Sequence, residues 1–94
     1  MAHILVRHKV ADFDKWKSVF DEHSTMRKDN GSKGGVVFRS SDDPNEVVVL
    51  LEWENLEKAR QFVQSEDLKQ AMQRAGVTDP PSITFLDEAD KPSV

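Results

Sequence analysis

The chain has 94 residues, 37% apolar and 32% charged, with 13 lysines and arginines against 17 acids; these are the fractions of a soluble globular protein, not a disordered one. Its net charge of −4, with the bases scattered among acids, disfavours nucleic acid as a partner, and no apolar run approaches the roughly 18 residues of a membrane span. The absence of cysteine excludes disulfides, thiolate metal sites and a Cys nucleophile, and with no secretory pattern at the N-terminus it leads to the expectation of a cytoplasmic protein.

One domain is expected over 1–94, with 89–94 a polar tail. His3 to Val10, "HILVRHKV", alternates, so that Ile4, Val6, His8 and Val10 point one way and His3, Leu5, Arg7 and Lys9 the other. Asp12 then offers a helix N-cap, and Phe13, Trp16, Val19, Phe20, His23 and Met26 recur at helical spacing. Acids early in this segment and bases late suit the helix dipole, and Asn30-Gly31 ends it, which predicts one helix over about 12–29. "GSKGG" reads as a flexible connector, "VVFRS" as a short strand and "SDDPNE" as a turn.

"EVVVLLEW", Glu46–Trp53, follows as the third strand and is apolar on both faces: Val47, Val49, Leu51 and Trp53 on one, Val48 and Leu50 on the other. Asn55 caps a second helix with Leu56, Ala59, Phe62 and Val63 as its stripe; Ser65 with Glu66 and Asp67 looks like a fresh N-cap. Leu68, Ala71, Met72 and Ala75 continue the apolar spacing, so this helix is expected to kink or split near Ser65 and to end at Gly76. "ITFLDE" is the last strand.

The order β-α-β-β-α-β predicts an α+β, ferredoxin-like antiparallel sheet with both helices on one face. No third layer remains for the second face. At about 25 cal/mol per Å² of apolar area, leaving it wet would cost several kcal/mol in so small a domain. A homodimer with two sheets packed face to face is the expected remedy; the alternative is that a single apolar strand simply occupies the sheet's centre.

"DFDKWKSVFDEHSTMRKDNGSKGG" followed by "VVVLLEWENLEKARQFVQSEDLKQAM" resembles the antibiotic biosynthesis monooxygenase-like superfamily of dimeric α+β barrels. More narrowly, it is similar to small bacterial proteins often labelled "cyclase". The resemblance covers about His3 to Glu88 and implies architecture more than chemistry, because the superfamily includes cofactor-independent oxygenases, haem-degrading enzymes, isomerases and proteins without known activity. The haem-degrading branch depends on an Asn in the first strand and on a Trp and a His in the second helix. Here Asn30, Asn45 and Asn55 lie elsewhere, Trp16 and Trp53 fall outside that helix, and Phe62 and Met72 stand in the places of its Trp and His. The branch that oxidises polyketide phenols uses a tyrosine, and this chain has none. What the resemblance leaves is a cofactor-independent monooxygenase or cyclase-like protein acting on a small enolisable or aromatic molecule; the alternative is a non-catalytic dimer that binds such a molecule.

His23 and Arg27, at i and i+4, share a helix face with Trp16 and Phe20. A histidine of near-neutral pKa beside an apolar pocket can remove an acidic substrate proton, and an arginine can steady the resulting enolate or phenolate. The rival reading is that His23 caps the stripe at its wet end and Arg27 pairs with a surface acid or the helix terminus. His8 faces the same way as Ile4, Val6 and Val10, either as a core histidine or as part of a cavity shared with His23. Trp16, Phe20, Trp53, Phe62 and Met72 are core residues that can also wall a cleft for a flat ring. No metal is expected, since His8, His23 and an acid such as Glu52 lack ligand spacing. "GSKGG" follows a helix instead of opening one, so it is not a phosphate cradle.

Overall fold

The computed structural model describes residues 2–78 and 80–94. Its elements are β1 (Ala2–Lys9), α1 (Phe13–Glu22), α2 (Ser24–Asp29), β2 (Ser32–Arg39), β3 (Glu46–Trp53), α3 (Leu56–Val63), α4 (Glu66–Arg74) and β4 (Ser82–Asp87). The four strands form one antiparallel sheet in the order β2-β3-β1-β4, the ferredoxin-like α+β arrangement. Residues 88–94 are exposed and belong to no element.

Local chemistry sets the helix starts. The Asp12 carboxylate accepts from the Asp14 amide at 3.0 Å, Asn55 Oδ1 from the Lys58 amide at 2.8 Å, and Ser65 Oγ from the Leu68 amide at 3.2 Å. Each satisfies a donor that the first helical turn leaves without a partner. Ser65 also donates to the Phe62 carbonyl at 2.7 Å, so one hydroxyl closes α3 and opens α4. Gly76 ends α4 at φ +77°, where a side chain would be strained.

Two expectations need correction. The helix expected over about 12–29 is broken at His23, which ends α1 and begins α2 with φ −84° and ψ 2° and makes no side-chain cap. The break leaves the Phe20 carbonyl to be filled by the His23 amide at 3.2 Å and by Arg27 Nη1 at 2.7 Å. "GSKGG" is not a loose connector either, because Ser32 onward pairs with β3, with a bulge at Lys33. A Cβ at Gly35 would collide with the Leu50 carbonyl oxygen, so here glycine admits close strand approach.

The sheet has two unlike faces. Ala2, Ile4, Val6, His8 and, on β3, Val47, Val49, Leu51 and Trp53 lie buried beneath the helices. Ile4, Val6, Val47, Val49, Leu51 and Trp53 form the core with Trp16, Ala59, Phe62 and Ala75. On the opposite face, register aligns Val36, Leu50 and Leu5 in one row and Phe38 and Val48 in the next. Val36 and Phe38 are 49% and 50% exposed, so this apolar face is open within the chain.

Candidate functional site

A cavity of about 60 Å³ lies between the helices and the sheet. Trp16 and Phe20 of α1, His23 at the break and Arg27 of α2 form one wall. Phe62 and Met72 line the other helical side, and Val6, His8, Val49 and Ile83 belong to the strands. Engineered cavities that receive a benzene ring measure about 150 Å³. This one therefore takes a short branched chain or the edge of one ring, and a whole ring requires the helices to part.

An aromatic column fixes the first wall. Phe13, Trp16 and Phe20 recur along α1, with ring centroids 5.8 Å and then 5.0 Å apart, the second pair stacked at 19°. The Arg39 guanidinium covers Phe13 at 4.1 Å and that of Arg27 covers Phe20 at 3.7 Å, so each end of the column carries a cation. Arg27 is thus held by a ring and by the Phe20 carbonyl. Burial pulls its pKa down, and Asp21, the acid that acts on it, is itself bound by Lys17 at 2.6 Å.

The two cavity histidines differ. His23 is half-buried, and its pKa is lowered by burial and then by the Arg74 and Arg27 charges, against the opposing pull of Asp67 and Glu22. That favours the neutral imidazole, the form that accepts a proton. His8 is only 6% exposed, its ring 5.6 Å from Trp16, and neither ring nitrogen has a hydrogen-bond partner. Burial lowers its pKa as well, because an imidazolium there would lose hydration without gaining a counter-ion.

Of the eight residues singled out in the sequence, His8, Trp16, Phe20, His23, Arg27, Phe62 and Met72 come together at the cavity. Trp53 does not line it. Its indole is fully buried beside Phe62, with centroids 4.7 Å apart and Nε1 unpartnered. The cavity also takes in Val19, Val63, Leu68 and Ala71; the apolar spacing of the helices carried that signal, read there as core alone. Among the described residues, no three His, Asp or Glu side chains gather closely enough to hold a metal ion, and no helix is long and apolar enough to cross a membrane.

No curated protein matches the chain by sequence. Among solved structures, a cofactor-independent oxygenase of Streptomyces nogalater, SnoaB, superimposes with a TM-score of 0.80 at 14% identity, over 99% of this chain and 97% of its own. A protein of Bordetella bronchiseptica assigned to the antibiotic biosynthesis monooxygenases gives 0.78 at 15% identity, over 94% and 96%. Another so assigned, from Caulobacter crescentus, gives 0.74 at 19%, over 95% and 90%. At such identities the likeness establishes the fold. The family itself is established by sequence: the profile of the antibiotic biosynthesis monooxygenases matches residues 1–74, from β1 through α4, and the chain belongs to that family.

Proposed function

We propose that the protein is a cofactor-independent monooxygenase or cyclase-like enzyme, working as a homodimer on a small enolisable or aromatic substrate. The observation that carries this reading is the pairing of His23 and Arg27 at one apolar cavity, with the histidine biased toward its neutral form. His23 takes the acidic proton of an activated methylene, and Arg27 stabilises the enolate oxygen. The carbanion then adds dioxygen. One oxygen atom remains as a carbonyl, and the other leaves as water with the two hydrogens of the methylene. In a cyclase the same carbanion attacks a carbonyl of its own chain.

The dimer forms through the open sheet face, where Val36, Phe38 and Leu86 each expose more than a third of their surface. The absence of cysteine supports a cytoplasmic site of action.

Oxygen uptake by chelator-treated protein with acetylacetone and cyclohexane-1,3-dione tests the enzyme reading. His23→Ala should fold as the wild type does and lose at least ~100-fold in rate, the lower range for a general base. Full activity in that variant would show the base to be misassigned. A second reading, a non-catalytic binding dimer, is supported by the predominantly apolar and aromatic lining of the cavity. Binding of these diketones without any oxygen uptake would select it.

A further inference from the structure

Arg27 has a second side. Besides the cavity it lines a separate cleft of about 310 Å³, together with Ser24, Lys28, Ser32, Lys33 and Gly34. Half of these six residues are cationic and none is acidic, in a chain whose acids outnumber its bases by 17 to 13. Composition therefore does not account for the cluster. Among the described residues, five ion pairs tie up Arg7, Lys9, Lys17, Lys58 and Arg74, and none involves Arg27, Lys28 or Lys33. The acid within electrostatic reach of Lys33, Glu54, is bound to Lys58 at 3.0 Å.

The backbone builds this cleft. Lys33 is the extra residue of the β2 bulge: Ser32 pairs with Trp53 and Gly34 with Glu52, and Lys33 has no partner across the ladder. Bulges re-aim the side chain they carry, and this one sets Lys33 beside the last turn of α2, where Lys28 sits. Arg27 is half-buried and anchored, and of the five donors of a guanidinium one is given to the Phe20 carbonyl. Ser32 Oγ makes only long contacts of 3.4 and 3.5 Å, which leaves a hydroxyl for a ligand oxygen.

We propose that this cleft is an anion subsite and that the ligand of the cavity is an apolar acid. Its compact apolar body enters the cavity, and its carboxylate or phosphate monoester group is held outside by Lys28, Lys33 and the shared Arg27. The inference rests on the cavity being the ligand site, and it adds the head group to that reading. Arg27 is the shared element of the arrangement, because the one residue lines both spaces and its guanidinium is fixed on Phe20. Charge-assisted hydrogen bonds from several donors make such a subsite selective for anionic oxygens over neutral amides.

Three probes with one body separate the possibilities: 4-methylpentanoate, 4-methylpentanamide and 4-methylpentyl phosphate, titrated by amide chemical shifts into the wild type and into the Lys28→Ala/Lys33→Ala double variant. Both lysines are exposed, so the variant should fold as the wild type does. At least one acid is expected to bind the wild type tenfold or more tightly than the amide. The double variant should lose that preference while its affinity for the amide stays the same, and the tighter of the two acids identifies the head group. Equal affinity for acids and amide, or a preference that survives in the double variant, would overturn the anion subsite and leave the cavity reading standing. If no probe shifts the amides of Trp16, Phe62 and Met72, the cavity reading falls and the inference with it.

Discussion

Replacing His8 by leucine should make the protein more stable. Both ring nitrogens of His8 are buried without a partner, and a buried polar group left unsatisfied costs about 1–3 kcal/mol. Leucine has a similar volume and no polar atom, and Ile4, Val6, Val47 and Trp16 already make this layer apolar. A net gain of about 1–3 kcal/mol is expected. In a domain of this size each kcal/mol shifts Tm by about 4–8 °C. The measurement is urea unfolding followed by tryptophan fluorescence, with wild type and variant at one protein concentration, because association adds to apparent stability.

The pH dependence of the same variant is a second readout. Unfolded histidine titrates near 6.5, and burial lowers the folded value. Between the two values the unfolded chain holds more protons, so wild-type stability falls as pH drops below about 6.5 and levels off beneath the folded pKa. The limiting slope for one proton is about 1.4 kcal/mol per pH unit. His8→Leu should remove the His8 share of that loss, while His23, whose pKa is also lowered, keeps its own. A variant destabilised by more than about 1 kcal/mol, with an unchanged acid limb, would refute the reasoning. It would mean that ordered water in the cavity satisfies the imidazole.

Leu50→Glu places a charge in the middle of the open sheet face, beside Leu5 and Val36. Light scattering at about 10 µM should find a dimer for the wild type and a monomer for the variant; a wild-type monomer would remove the proposed interface. Ser65→Ala deletes the cap of α4 and the bond to the Phe62 carbonyl. A loss of about 1 kcal/mol is expected, read by urea unfolding, and an unchanged midpoint would show that packing alone holds the α3–α4 junction.

Much of the lining of the candidate site was legible in the sequence, for identifiable reasons. Trp16, Phe20, His23 and Arg27 lie on one helix face by spacing, and Phe62 and Met72 lie on the stripes of the later helices. These periodicities specify which side of an element a residue occupies. They do not specify depth. Trp53 shares a strand face with Val49 and Leu51, yet it lies beyond the cavity, against Phe62. The break at His23 was hidden because the apolar spacing runs through it unbroken. The β2 bulge was hidden because glycine composition signals flexibility, whereas pairing with β3 decided the conformation.

By itself the sequence determined the order of the elements, the caps at Asp12, Asn55 and Ser65, and a sheet with apolar residues on both faces and helices for one. These follow from interactions within a few residues and from the twofold alternation of strands. Tertiary structure alone decided that His8 is buried without a partner, that the Arg27 guanidinium is pinned between the Phe20 ring and its carbonyl, and that Arg27 lines two separate spaces. Such facts depend on distances between elements remote in the chain, which packing sets and local pattern does not encode.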